Sequence, residues 1–283
     1  MKPAIFQRIM TSKAKKFREL LTSGTVVLPG VFNAISAKLV EQAGFSALYF
    51  SGAGLANAVF GVPDIGIPTL AESSEHARRC SAAVSLPALA DVDTGFDDVA
   101  GTVRAFEAAG VAAIHMEDQV DQKKCGHLEG KCLVSQDEMC ERIRTAVHAR
   151  TDSDFLIMAR SDAKSVEGLA AMIVRCKAYV AAGADAIFAE ALQSEEEFKA
   201  VRKAISVPLL ANMTEFGKTP YYTVQQFENW GYNMVIFPMT LFRVANFAMR
   251  DALQELKKSG TQQKFLDKMQ TRKELYELLD YQP

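Results

Sequence analysis

The sequence predicts an α/β protein, a (β/α)8 TIM-type barrel with extra C-terminal helices, and three observations point that way. Eight short apolar runs recur along the 283 residues. Each is nearly continuous in hydrophobic character, as parallel strands buried on both faces should be. Helical segments separate them, and no phosphate-cradling Gly-x-Gly-x-x-Gly follows any of them, which favours a closed barrel over a doubly wound sheet.

The first run is Thr25–Leu28. Four others share one phrase, a helix ending in glycine followed by a β-prone run. Glu41–Gly44 precedes Ala47–Phe50, and Glu107–Gly110 precedes Ala112–Ile114. Val180–Gly183 precedes Ala186–Phe188, and Glu228–Gly231 precedes Met234–Phe237. Glycine suits the position just past a helix, where a positive φ is cheap only without a Cβ. The remaining strands follow proline or a polar turn: Pro87–Ala90, Phe155–Met158 and Pro208–Ala211. Phe242–Lys258 reads as one helix, Gly260 breaks it, and Gln262–Leu279 reads as another. The chain is thus a single domain, 1–283, with 242–283 as a helical extension. That extension either packs on its own barrel or embraces a neighbouring subunit.

Composition excludes several classes of function. Hydrophobic content of 49% and charged content of 23% are those of a globular enzyme with a large core. A net charge of −2 gives no reason to expect nucleic acid or an anionic membrane as partner. No apolar run approaches the ~18 residues that span a bilayer. The five cysteines form no Cys-x-x-Cys pair, which fits a reducing cytoplasm better than a disulfide framework.

Chemistry in a barrel sits where strands end, and polar residues recur there. They are Tyr49 with Ser51 and Gly52, Asp91 with Asp93, Glu117, Arg160 with Asp162, Glu190, and Asn212 with Thr214. The i, i+2 spacing within pairs puts both side chains on one face of a strand. Asp91 and Asp93 are the best metal candidates, since Mg²⁺ takes one or two carboxylates and keeps several waters. Glu117 could hold one of those waters; Asp118 should face the other way and is structural. Arg160, Arg243 and Arg272 are candidates for bidentate carboxylate binding. Arg272 matters only if the C-terminal helix folds back to the barrel mouth.

The stretch Lys123-Lys124-Cys125-Gly126-His127 lies in a polar segment, Asp121–Lys131, that should be an exposed loop. Cys125 has no apolar neighbours, and flanking lysines favour a reactive thiol. His127 is a partner to Cys125, a substrate donor, or simply a solvated histidine. Cys80, Cys132, Cys140 and Cys176 read as packing residues, and His76, His115 and His148 as structural.

These residues, in this order, resemble the isocitrate lyase and phosphoenolpyruvate mutase superfamily from about Leu28 to Tyr281. Lys123–His127 matches the signature of its carbon–carbon lyase branch; the phosphonopyruvate-processing branch lacks that cysteine. Asn212–Gly217 and Met269–Arg272 with Glu274–Tyr276 are similar to the bacterial lyases that cleave 2-methylisocitrate. The resemblance implies a Mg²⁺-dependent retro-Claisen cleavage of that tricarboxylate to pyruvate and succinate, with Mn²⁺ as the alternative ion. It also implies a homotetramer with a C-terminal helix swapped between barrels. By motif, Ser51, Gly52 and Ala53 contact substrate, Asp91 and Asp93 hold the metal, and Asp64 and Glu117 lie nearby. Cys125 and Gly126 belong to a mobile catalytic loop that closes as a lid. Arg160, Glu190, Asn212, Met213, Thr214, Arg243 and Arg272 line the substrate site. Ala53 departs from the family's Ser-Gly-Gly, a tolerable change if only the backbone is used there.

The expected division of labour follows. Tyr49 takes the hydroxyl proton, with Glu117 or a metal-bound water as competitors, and Cys125 protonates the departing carbon as a general acid. Lys123 is an electrostatic partner of the substrate or the metal site. Competing readings are dimethylmalate lyase, isocitrate lyase, oxaloacetate decarboxylase, or a non-catalytic metal-binding barrel.

Overall fold

The computed structural model describes residues 12–121, 123–124 and 130–282. The strands are β1 (Val26–Val31), β2 (Leu48–Phe50), β3 (Ala88–Asp91), β4 (Ala113–Glu117), β5 (Leu156–Ser161), β6 (Ala186–Ala189), β7 (Leu209–Asn212) and β8 (Met234–Phe237). Each pairs in parallel with its neighbour in chain order, and β8 returns to β1, closing the barrel. All eight expected runs are strands. The four helix-terminating glycines, Gly44, Gly110, Gly183 and Gly231, sit at φ of 83°, 78°, 110° and 82°, the left-handed geometry expected of them.

Strand parity divides the core in two. Leu28, Tyr49, Leu89, Met158, Phe188, Leu210 and Ile236 fill the barrel interior. Their neighbours Phe50, Ala90, Ile114, Ile157, Ile187, Leu209 and Val235 pack outward against the helices. The interior is floored by Phe17 and Leu21 of the Lys13–Leu21 helix, which plugs the N-terminal end. Helices begin on side-chain caps that satisfy their free N–H groups: Asn33, Thr69, Asp98, Ser135, Ser194 and Thr223.

Two C-terminal expectations need correction. The segment read as one helix over 262–279 is a 3₁₀ turn, Gln263–Lys268, followed by a separate helix, Arg272–Leu278. Thr271 and Glu274 form a capping box that starts this second helix afresh. The helix packs on Ala34–Gln42 at the barrel's flank, with Lys38 paired to Asp280 at 3.1 Å. Arg272 is exposed there and is not among the residues that border the cavity at the mouth of its own barrel. The preceding helix, Thr240–Ser259, buries none of its residues, leaving Val244, Phe247 and Leu253 about 60% exposed.

Candidate active site

Inward parity carries the strand-end polar groups to the C-terminal mouth of the barrel. A cavity of about 330 Å³ lies there. Tyr49, Asp91, Arg160, Glu190, Asn212 and Thr214, from the ends of β2, β3, β5, β6 and β7, border it. Ser51, Ala53, Asp64, Lys123 and Arg243 border it from the segments after the strands and from the Thr240–Ser259 helix. A larger groove of about 860 Å³ lies at the opposite end of the strands, beside Lys13, Glu107 and Asp152. Barrel chemistry sits at the C-terminal end, so size does not decide between them.

Register sets the pairings. Asp91 lies opposite His115 and Glu117 opposite Arg160. The Arg160 guanidinium is buried and ringed by acids: Nε meets Asp162 at 2.9 Å and Glu117 at 3.2 Å, and Nη2 faces Glu190 at 3.6 Å. It also lies over the Phe188 ring at 5.1 Å. Burial works against its charge, but Asp162, Glu117 and Glu190 overcome that and keep Arg160 protonated. Asn212 donates to Glu190 at 3.2 Å. Burial chiefly pushes the Glu117 carboxyl well above its ordinary range, so it tends toward the neutral acid.

On the other side, Lys123 is buried between two acids. Its ammonium is 2.7 Å from Asp64 and in direct contact with Asp93. Those charges, with Glu117 and Asp91, outweigh burial and hold Lys123 protonated. Asp91 is pulled down to about 2: burial opposes its charge, but His115, Lys123 and Arg160 prevail. Asp93 is pushed up to about 6, by burial first and by Asp91 and Asp64 against the pull of Lys123. Asp91 faces the cavity, whereas Asp93, at a left-handed φ of 51°, turns toward Lys123. The Gly52 N–H donates to Asp91 at 3.3 Å. A Cβ on Gly52 would come within 3.1 Å of Asp91 and 3.3 Å of Asp93, so glycine keeps the space between these carboxylates open.

Several expectations change. The Asp121–Lys131 segment is not uniformly exposed: Lys123 and Lys131, near its two ends, are buried. Cys125, Gly126 and His127 lie outside the described residues. Met213 does not face the substrate space; it packs in the core outside the barrel, because it has outward parity between Asn212 and Thr214. His115, read as structural, stands inside the site, with Nε2 2.8 Å from the Tyr49 hydroxyl and Nδ1 3.8 Å from Asp91. It lies two residues before Glu117, so the same i, i+2 rule would have found it. Asn57, in the helical turn Ala56–Phe60 where the strand rule does not apply, also borders the cavity. Asp118 faces outward as expected, accepting from the Ser161 and Tyr179 hydroxyls at 2.7 and 2.8 Å.

Cys132 is exposed, whereas Cys80, Cys140 and Cys176 are buried. Burial pushes the Cys80 thiol up to about 12 and raises Cys140 and Cys176 as well. Brief iodoacetamide treatment of the native protein should therefore alkylate Cys132 and spare those three. Peptide mass spectrometry checks this, and early labelling of Cys176 would contradict the packing described.

The sequence profile of the phosphoenolpyruvate phosphomutase family matches residues 17–257. The chain is 47% identical over 274 residues to a 2-methylisocitrate lyase of Shewanella oneidensis, covering 95% of this chain and 94% of that one. It is 44% identical to a 2-methylisocitrate lyase of Escherichia coli, covering 95% and 93%. Among solved structures it resembles 2,3-dimethylmalate lyase, with a TM-score of 0.90 at 39% identity over 95% of this chain and 92% of that one. It also resembles oxaloacetate acetylhydrolase, with a TM-score of 0.90 at 36% identity over 95% and 93%.

Proposed function

The chain belongs to the phosphoenolpyruvate phosphomutase family, and on that premise we propose that it is a Mg²⁺-dependent carbon–carbon lyase cleaving 2-methylisocitrate into pyruvate and succinate. One observation carries the reading. Five strand ends bring a carboxylate cradle, a buried guanidinium and amide and hydroxyl donors around one cavity sized for a small polyanion.

The residues suit a hard cation. Asp91 and Asp93 offer only oxygen; Asp91 Oδ2 and Asp93 Oδ1 border the space that Gly52 leaves open, the latter also in contact with Lys123. Among the described residues no three His, Cys, Asp or Glu side chains converge as a full chelate. That fits Mg²⁺, which keeps several of its waters, better than a metal that needs a protein cage. An ion held there by Asp91 and Asp93 would supply Lewis-acid polarisation of the substrate's oxygens.

The chain's own groups divide the remaining work. Burial, with Asp91 adding to it, raises Tyr49 well above 10, so the phenol rests protonated. It can take the hydroxyl proton only as it passes its own to His115 Nε2, 2.8 Å away. Burial lowers His115 to about 4, so at neutral pH its imidazole is neutral and one ring nitrogen keeps a lone pair for the Tyr49 hydroxyl, as a weak base. Arg160, with Asn212 and Thr214, holds the carboxylate on which charge accumulates as the carbon–carbon bond breaks. Cys125 then protonates the succinate carbon. Arg243, paired with Glu215 at 3.5 Å and lying over the Phe216 ring at 5.4 Å, is placed at the rim to meet a distal carboxylate.

We assign the helix Thr240–Ser259 to the swapped arm of a tetramer; its unburied Val244, Phe247 and Leu253 support that reading. On that arrangement Arg272 could serve a neighbouring barrel. No helix among the described residues is long and apolar enough to cross a membrane, in keeping with our placement of the enzyme in the cytoplasm.

Release of the 2-oxo acid, coupled to a reporter dehydrogenase, tests the reading across 2-methylisocitrate, isocitrate, dimethylmalate and oxaloacetate. We expect the highest kcat/KM for 2-methylisocitrate, complete loss on dialysis against EDTA, and recovery with Mg²⁺. A higher kcat/KM for dimethylmalate or oxaloacetate would transfer the chain to those chemistries. Activity that survives exhaustive chelation would remove the metal.

A further inference from the structure

Behind the substrate arginine lies a second buried cation that the mechanism has not used. The Lys131 ammonium is 2.9 Å from Asp162 Oδ1, and the two side chains are 1% and 0% exposed. The same carboxylate holds Arg160: Oδ2 accepts from Nε at 2.9 Å, and Oδ1, shared with Lys131, accepts from Nη2 at 3.4 Å. Asp162 is itself fixed from behind, its backbone N–H donating to Asp118 at 2.8 Å. Lys131, Asp162 and Arg160 therefore form one buried row, cation–anion–cation, ending at the cavity wall.

Charge balance gives this row a consequence. Arg160 must attract a substrate anion although Asp162, Glu117 and Glu190 already surround it. Asp162 and Glu190 alone already outnumber the single charge of Arg160. A lone guanidinium beside two buried carboxylates presents a net negative face, which would repel a tricarboxylate. Lys131 restores the balance by taking up the charge of Asp162. Burial disfavours the Asp162 anion, yet Arg160 and Lys131 together hold it below the ordinary range.

We propose that Lys131 is a positioning and specificity residue for the lyase reaction, acting through Asp162 to leave the charge of Arg160 available to a substrate carboxylate. It touches no reacting atom, so its removal weakens substrate capture more than turnover. The inference rests on the lyase reading, and turnover of 2-methylisocitrate by the native enzyme tests that reading separately.

The decisive variant is K131Q, which keeps a hydrogen-bond donor of similar length and loses only the charge. KM for 2-methylisocitrate should rise about tenfold, with kcat within threefold of native and the thermal midpoint within a few degrees. K131R should keep KM within threefold. In K131Q/D162N, where Gln and Asn form a neutral pair, KM should fall back at least threefold from the K131Q value. A native KM in K131Q would overturn the proposal, as would a KM in K131R as high as in K131Q. A double variant no better than K131Q would overturn it too, because a purely structural lysine gains nothing from a second substitution. Should K131Q fail to accumulate as folded protein, K131R and the double variant decide: each should keep KM within about threefold of native, and a tenfold rise in either would overturn the proposal.

Discussion

Arg160→Lys should lower kcat/KM for 2-methylisocitrate about 10³-fold, a loss of about 4 kcal/mol of transition-state stabilisation. The lysine keeps the charge, so the three surrounding acids are not left without a cation. Stranding them would cost about 3–5 kcal/mol of stability and confound the measurement. What the variant removes is the planar fork. Arg160 meets Asp162 and Glu117 through Nε while a terminal nitrogen faces Glu190 and the cavity. A single ammonium cannot satisfy those acids and still align two donors on a substrate carboxylate. Steady-state kinetics with native-like circular dichroism checks this. A loss of less than tenfold would show that the charge-accumulating carboxylate binds elsewhere, with Arg243 as the next residue to replace.

Cys125→Ser should reduce kcat about 10³-fold, within the range for removal of a general acid, while KM and Mg²⁺ affinity stay within threefold of native. The hydroxyl occupies nearly the same volume but holds its proton far more tightly. The cavity bears on the protonation state this role requires. Two adjacent lysines would favour a thiolate, which is no acid. Lys123 does not serve that purpose: it is buried and committed to Asp64 and Asp93. One of the two activating charges is therefore spent on the metal cradle, and an incoming trianion opposes the thiolate further. Near-native kcat in the serine variant would take Cys125 out of the reaction and leave the succinate carbon to be protonated by water.

How far the chain could be read without coordinates depended on the range of the rule involved. Strand runs and helix-ending glycines are local, and all eight strands and all four glycine turns stand where the sequence places them. The i, i+2 alternation is fixed by covalent geometry. It therefore placed Tyr49, Asp91, Arg160, Glu190, Asn212 and Thr214 around one mouth with no knowledge of the barrel. The same rule, applied to every residue, would have drawn in His115 and turned Met213 outward. The C-terminal misreading was also local in origin, since the Thr271–Glu274 capping box that starts the last helix is written in the sequence.

Partnership was beyond such rules. That Asp93 faces Lys123 rather than the cavity, that Tyr49 meets His115, and that Asp162 is shared by Arg160 and Lys131 follow from strand register and loop packing. These bring together groups far apart in the chain: Asp93 and Lys123 are 30 positions apart, Lys131 and Asp162 are 31 apart, and Tyr49 and His115 are 66 apart. By itself the sequence determined the barrel, the face each side chain occupies, and the acids, donors and thiol available for a metal-assisted lyase. The tertiary structure alone decided which charge neutralises which, because buried ions take their protonation state and their reach from neighbours that only folding supplies.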